Sequence, residues 1–204
     1  MIIDISRSGR VVAGAISLAA LAAIVVQCNL NLERDGSPLV AFALLLRFFT
    51  LWANLAAGVL LGWVAARGRI HAGIPFALAT ALAIVAVVYW TLLAADHHPI
   101  GWDRYTNQVH HTIVPLATII WWAEFTRPVD AGWRSIPIVT IAPLVYTGFA
   151  LTYGAISGFY PYFFLDVPKF GMAQVLVNLI GLAAAFMLFG ALLLALRRLV
   201  SPRA

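Results

Sequence analysis

Long apolar stretches separated by short polar turns make up nearly the whole chain. Six of these stretches approach or exceed the roughly 20 residues that an α-helix needs to cross the hydrocarbon core of a bilayer. The pattern therefore predicts an all-α protein, a polytopic bundle of six transmembrane helices in a single domain that covers residues 1–204. The predicted spans are residues 11–28, 39–66, 74–95, 107–125, 136–156 and 172–196.

Composition supports a membrane protein. The chain has 204 residues, of which 63% are hydrophobic and 10% charged, and its mean hydropathy is +0.94. A soluble domain carries about 25% charged residues. The net charge of +5 does not indicate a nucleic-acid partner, because the basic residues collect at the ends of the predicted helices.

The distribution of basic residues predicts the orientation. With six spans, one side receives nine arginines and the other only three basic residues. Cytoplasmic loops carry the excess of Lys and Arg, so both termini are predicted to be cytoplasmic. The predicted cytoplasmic set is Arg7, Arg10, Arg67, Arg69, Arg127, Arg134, Arg197, Arg198 and Arg203, and the opposite set is Arg34, Arg104 and Lys169.

Prolines interrupt two of the predicted spans. Pro115 cannot donate to the carbonyl of His111, and Pro143 cannot donate to that of Val139. We therefore expect both helices to kink, each with one carbonyl left for a neighbouring group to satisfy.

Polar residues inside the second span are the first candidates for function. Arg47, Thr50 and Asn54 are spaced i, i+3 and i+7, so a continuous helix would place them on one face. A cation this deep in a span needs an anionic partner, from the protein or from a ligand. Structural alternatives exist: the hydroxyl of Thr50 could bond the carbonyl of Leu46 one turn earlier, and Asn54 could hydrogen-bond a neighbouring helix.

The fourth span carries the second group of candidates. Asn107 and His111 are spaced i and i+4 and share a face, whereas His110 points about 100° away. A histidine here could serve as a general base or join a metal site. The span offers no carboxylate at helical spacing, and Cys28 is the only cysteine. The sequence therefore predicts no metal site and no cofactor.

Three motifs resemble a known family. They are Arg47-Phe48-Phe49-Thr50-x-x-x-Asn54, Asn107-x-x-x-His111-x-x-x-Pro115 and Gly158-Phe159-Tyr160-Pro161-Tyr162-Phe163-Phe164-Leu165-Asp166. In this order and on six predicted spans, they resemble the androgen-induced gene / FAR-17a-type family of six-span membrane hydrolases, in particular its bacterial Pr6Pr branch. The resemblance runs from the second span to the last.

The resemblance implies an intramembrane threonine-type hydrolase of lipid esters; the family activity is cleavage of fatty acid esters of hydroxy fatty acids. It implies Thr50 as nucleophile and His111 as general base. His110 is the alternative base, because animal members place four residues between the catalytic histidine and the proline, and His110 has that spacing from Pro115. It also implies a multi-pass protein of the bacterial cytoplasmic membrane.

The residue types permit this chemistry. A neutral histidine can take the proton of a threonine hydroxyl near pH 7, Arg47 could hold a lipid carboxylate, and Asn54 or Asn107 could donate to the oxyanion. The expected partners are a lipid ester substrate and membrane lipids, with no obligate protein partner. Two other classes remain open: a transporter or channel for ions or small molecules, and a non-catalytic membrane scaffold.

Overall fold

The computed structural model of the chain describes residues 1–128 and 130–200. Within these ranges the protein is helical except for turns and one short antiparallel ribbon, in which Ile3 pairs with Ile70. The all-α prediction is therefore confirmed at the level of fold class. Arg203, which belongs to the predicted cytoplasmic set, lies outside the described residues, as do positions 201, 202 and 204 of the predicted domain.

The elements follow one another with short connections. The α-helices are α1 (Arg7–Leu30), α2 (Leu32–Asp35), α3 (Pro38–Leu45), α4 (Phe49–Arg67), α5 (Gly73–Val88), α6 (Asp103–Gln108), α7 (Val114–Phe125), α8 (Ile141–Ser157) and α9 (Val167–Val200). The strands are β1 (Ile2–Asp4) and β2 (Arg69–His71). A first π-turn occupies Tyr89–Leu93 and a second π-turn Val109–Ile113, while 3-10 turns occupy Trp133–Thr140 and Phe163–Leu165.

Five helical stretches of the described chain are long and apolar enough to cross a membrane: Arg7–Leu30, Phe49–Arg67, Gly73–Leu93, Trp133–Ser157 and Val167–Val200. The predicted fourth span, which the second π-turn divides, is not among them, because polar residues such as Gln108, His110, His111 and Glu124 make it less apolar than these five. Every residue from 103 to 125 is nevertheless helical. The count of six spans stays a prediction.

The divided segment runs along the whole of α1 in the opposite direction. At one end of the bundle, Thr106 donates its hydroxyl proton to Gln27 near the end of α1. At the other end, the indole of Trp121 donates to the carbonyl of Gly9 near the start of α1, at 2.7 Å. The α6–α7 segment therefore extends over the same length as a helix that is long enough to span.

Helices α1 and α4 approach each other closely through small residues, as is common in membrane bundles. Ser17 donates its hydroxyl proton to the carbonyl of Gly58 at 2.6 Å. A Cβ atom on Gly58 would lie 2.5 Å from a methyl carbon of Leu21, so any larger residue there would force the side chain of Leu21 to shift. Arg10 fastens one end of the pair by donating to the carbonyl of Ala65.

A buried arginine fastens α9 to α7. Arg197 is 6% exposed, donates to the carbonyls of Ala123 and Thr126 at the end of α7, and lies over the ring of Trp122. The last carbonyls of a helix lack partners within the helix, and a cation there is favoured by the helix dipole. Arg197 therefore caps α7 through backbone acceptors.

The second predicted span is not one helix, so the prediction of a single polar face was wrong. Helix α3 ends at Leu45 and α4 begins at Phe49, with Phe48 extended at φ −106° and ψ 133°. Arg47 lies in the turn between them. It therefore does not share a continuous helical face with Thr50 and Asn54.

Side chains satisfy the backbone groups that this break exposes. The indole of Trp52 donates to the carbonyl of Leu46 at 2.8 Å, and the hydroxyl of Tyr146 donates to the carbonyl of Arg47 at 2.6 Å. An unpaired backbone group in a membrane costs several kcal/mol. The break is therefore a stable, hydrogen-bonded feature that fixes where α4 starts.

The fifth predicted span also differs from the expectation. A 3-10 turn, Trp133–Thr140, precedes α8, and Pro143 is the third residue of that helix. The first N–H groups of a helix have no partner within it, so a proline there costs no hydrogen bond. The predicted kink at Pro143 was wrong.

Candidate functional site

Thr50 is the second residue of α4, and its side chain faces the second π-turn. Its Oγ1 lies 3.4 Å from Nε2 of His111. The carbonyl of Leu46, the acceptor expected if the threonine were only structural, is bonded by Trp52. The structure therefore brings together the threonine and one of the two histidines that the sequence singles out.

The hydrogen bonds of His111 define its tautomer. Nδ1 of His111 lies 3.1 Å from the carbonyl oxygen of Asn107. A carbonyl oxygen only accepts, so Nδ1 carries the proton and Nε2 has its lone pair free in the neutral ring. That lone pair faces the hydroxyl of Thr50, which is the arrangement in which a histidine accepts a proton from a threonine.

The second π-turn determines which carbonyl is left without a helical donor. The N–H of Val114 donates to the carbonyl of Val109, five residues back, and Pro115 has no N–H to give to His110. The prediction named the carbonyl of His111, which follows from α-helical spacing; the π-turn adds the carbonyl of His110, which that spacing does not identify. Asn54 donates its Nδ2 to the carbonyl of His110 at 3.1 Å.

Asn54 therefore connects the two halves of the site. It is fully buried, and its Nδ2 also donates to the carbonyl of Thr50 at 2.9 Å. One amide group thus joins the backbone beside the threonine to the backbone beside the histidine. Both N–H groups of the amide are engaged, so it has no proton left to donate to a ligand, whereas its Oδ1 has no hydrogen-bond partner among the described residues.

Tyr89 completes the setting of His111 and was not identified from the sequence. Its ring stacks on the imidazole, with centroids 3.8 Å apart and planes inclined by 18°. Its hydroxyl accepts from Nδ2 of Asn107 at 2.7 Å and lies 3.1 Å from Nδ1 of His97. Asn107 thus orients His111 through its backbone carbonyl, while its side chain holds Tyr89.

His110 faces away from the threonine. It is 4% exposed, and its Nε2 has no hydrogen-bond partner among the described residues. Of the two candidate bases, only His111 is bonded to Thr50. In residues 1–128 and 130–200, no three His, Cys, Asp or Glu side chains lie close enough together to hold a metal ion.

Arg47 lies next to the site on the turn before α4. Its Nε donates to the carbonyl of Leu44 at 2.8 Å, and its guanidinium lies 4.4 Å from the ring centre of Phe159. Within the described part of the chain it forms no ion pair. Aromatic rings and one carbonyl stabilise its charge. The terminal nitrogens of the guanidinium are left able to bind an anion.

An apolar cavity adjoins Thr50. This first cavity has about 740 Å³ of empty space, open solvent at its mouth included. Its walls come from α4, α5, α8, α9 and the segment before α9. Polar atoms are supplied by two threonines and three tyrosines, namely Thr50, Thr147, Tyr89, Tyr146 and Tyr162.

Tyr162 meets the start of α4 at the wall of this first cavity. Its hydroxyl accepts from the N–H of Phe49 at 3.2 Å, so it satisfies one of the first N–H groups of the helix. Burial raises the pKa of the Tyr162 hydroxyl above its usual value. The group therefore keeps its proton at neutral pH and can donate it to an acceptor in the cavity.

Comparison of the chain with protein-family models, curated proteins and solved structures finds no match. The resemblance to the six-span hydrolase family therefore stays a prediction from the motifs.

Two groups at the site escaped sequence reasoning for different reasons. In the sequence, nothing distinguishes Tyr89 from other aromatic residues near the end of a span, where tyrosine is common. Tyr162 lies within the motif Tyr160-Pro161-Tyr162, but nothing in the motif says which tyrosine turns inward. Pro115 marked an irregular helix in the sequence, and the second π-turn lies just before it.

We expect Asn54→Ala to destabilise the protein and to separate Thr50 from His111. The carbonyl of His110 would lose its donor, and an unsatisfied buried acceptor costs about 1–3 kcal/mol. Thermal unfolding in detergent measures the loss. The matched control is Asn29→Ala, an exposed asparagine that bonds only within its own helix. Equal melting temperatures for the two variants would contradict the role given to Asn54.

Proposed function

We propose that the protein is an intramembrane threonine hydrolase of lipid esters. The observation that carries the proposal is the hydrogen-bonded series from Thr50 Oγ1 to Nε2 of His111, at 3.4 Å, and from Nδ1 of His111 to the carbonyl of Asn107, at 3.1 Å. This is the nucleophile, base and orienting acceptor that acyl transfer needs. The family resemblance of the motifs supports the same reaction.

In the proposed reaction, Oγ1 of Thr50 attacks the ester carbonyl while its proton passes to Nε2 of His111. The resulting tetrahedral intermediate collapses, the bond to the alcohol oxygen breaks, and His111 returns the proton to the leaving alcohol. Water then attacks the acyl-threonine ester with His111 again as base, which releases the fatty acid and regenerates the threonine. The bond to Asn107 stabilises the imidazolium that forms in each step.

The geometry offers an oxyanion site other than the two asparagines. Asn54 gives both amide protons to backbone carbonyls, and Asn107 gives one of its two to the hydroxyl of Tyr89. We place the oxyanion instead at the start of α4, where the N–H of Thr50 is one of the first four of the helix and where Tyr162, whose hydroxyl bonds the N–H of Phe49, lines the first cavity. The positive end of the helix dipole favours a negative charge there.

The substrate and its setting follow from the surroundings of Thr50. The first cavity is lined mainly by hydrocarbon side chains and suits an acyl chain. Arg47, at the turn before α4, would meet a carboxylate on the substrate. The reaction as written uses side chains, backbone and water, and it calls for no metal or cofactor. Membrane lipids surround the protein, and neither nucleic acid nor an obligate protein partner is part of the proposal.

We also propose six membrane crossings, with both termini on the cytoplasmic side of a bacterial cytoplasmic membrane. The length over which residues 103–125 follow α1 and the basic residues near one end of the bundle support it. If residues 103–125 cross the membrane, positions 98 and 134 lie on opposite sides.

Cysteine labelling tests this topology. In a Cys28→Ala background, we expect a membrane-impermeant maleimide to label His98→Cys on intact bacterial cells, but Arg134→Cys only after lysis. Labelling of both positions on intact cells would mean that the segment between them does not cross. Reversed labelling would contradict the orientation.

We expect Thr50→Ala and His111→Gln to abolish ester hydrolysis by the purified protein. Loss of a general base lowers rates by about 10²–10⁴-fold, and loss of the nucleophile removes the acyl-enzyme route. Turnover of a panel of lipid esters, measured as released fatty acid, gives the result. Thr50→Ser keeps a hydroxyl at the same place and should retain activity.

His110→Gln is the matched control, since it replaces the neighbouring histidine, which has no bond to Thr50. It should keep most of the activity of the natural chain. If His110→Gln abolished turnover and His111→Gln did not, the assignment of the base would be reversed. If no ester were hydrolysed by the folded protein, the transporter and scaffold alternatives would take precedence.

Tyr162→Phe tests the oxyanion assignment. The variant keeps the ring and loses the hydroxyl, so kcat should fall by about 10²-fold or more while KM changes little. Steady-state kinetics on one ester separates the two constants. Tyr153→Phe, which changes a tyrosine of the same helix bundle outside the lining of the first cavity, provides the control. A rise in KM alone would make Tyr162 a ground-state contact.

A further inference from the structure

A second apolar cavity lies beside the first. It has about 890 Å³ of empty space, again counting open space, between α4, α5 and the start of α8 with the 3-10 turn before it. Small residues make up much of its wall, namely Ala53, Ala56, Ala77, Ala81 and Ala142. The one indole in the lining, Trp52, already gives its N–H to the carbonyl of Leu46. The space therefore offers hydrocarbon surface and suits an acyl chain.

One side chain lines both cavities. Phe49 is the single residue that the linings of the first and second cavities share among the described residues. It precedes Thr50 directly. Its ring packs edge-on against Tyr146, with centroids 5.3 Å apart, and against Phe186, with centroids 5.7 Å apart. Both of these rings belong to the wall of the first cavity, so Phe49 is held in place from that side.

We propose that Phe49 is a specificity-determining residue, which confines the acyl chain of the substrate to the first cavity and thereby limits the size of the acyl group. The proposal rests on the proposed hydrolase function for its kinetic test. Without the ring, the two cavities would join beside the nucleophile. A chain longer than the first cavity holds could then bury its far end among the alanines of the second.

The kinetic test compares nitrophenyl esters of octanoate and palmitate. We expect Phe49→Ala to raise the ratio of kcat/KM for palmitate over octanoate by about tenfold, the effect of burying about two more CH₂ groups. Phe49→Leu should give a smaller change in the same direction. It serves as the second variant if the alanine variant folds poorly, as judged by size-exclusion chromatography and thermal unfolding.

The matched control fills the second cavity with a side chain from α5. Ala77 lines that cavity, and Ala77→Phe would occupy the space that Phe49→Ala opens. The double variant should return the ratio to that of the natural chain, whereas Ala77→Phe alone should leave it unchanged. A ratio that stays high in the double variant would mean that the chain does not enter the second cavity.

A binding readout separates this inference from the proposed reaction. Trp52 lines the second cavity, so a palmitate brominated near its methyl end should quench its fluorescence in Phe49→Ala. The quenching should be absent from the Phe49→Ala/Trp52→Phe variant and weaker in the natural chain. Equal quenching of Trp52 with and without Phe49, or none in either, would overturn the partition, that is, the proposed separation of the two cavities by Phe49.

The outcomes distinguish the two proposals. If esters are hydrolysed but neither the ratio nor the quenching depends on Phe49, the partition is wrong and the hydrolase stands. If no ester is hydrolysed while quenching follows Phe49 as expected, the hydrolase is wrong and the partition stands.

Discussion

The carbonyl of His110 is the backbone group on which the site depends. The second π-turn and Pro115 deprive it of a helical donor, and in a membrane such a group must be satisfied from elsewhere. Asn54 supplies the donor from α4 and bonds the carbonyl of Thr50 with the same amide. The need to satisfy one orphaned acceptor therefore sets the distance between the helix that carries the threonine and the turn that carries the histidine.

The start of α4 is fixed by a similar requirement. The break before Phe49 exposes two carbonyls and an N–H, and three aromatic side chains satisfy them: Trp52 from α4 itself, Tyr146 from α8 and Tyr162 from the loop before α9. As a result, Thr50 lies at a helix start and not in the middle of a span. The positive end of a helix, which favours developing negative charge, is thereby placed beside the hydroxyl.

The sequence predicted the helical class, the approximate positions of most helices and the pairing of Thr50 with a histidine of the fourth apolar stretch. It did not predict the break at residues 46–48, because no Gly or Pro lies between Leu39 and Ala57 and the break depends on tyrosines about 100 residues away. It also missed that the carbonyl of His110 is left without a helical donor, since α-helical spacing does not reveal a π-turn. The role of Tyr89 depends on stacking between separate helices, which no local pattern records.

The surroundings of Thr50 are mainly apolar and those of His111 are polar, and the proposed reaction uses both. On the threonine side the wall is mainly hydrocarbon, which suits an acyl chain and excludes water. On the histidine side, Asn107, Tyr89 and the exposed His97 form a continuous hydrogen-bonded series that reaches the end of the bundle. A hydrolase needs both environments, because acylation proceeds best in a dry site while deacylation consumes a water molecule. In the proposed hydrolase, Tyr89 belongs to both environments, since it lines the first cavity and also bonds Asn107 in the polar series.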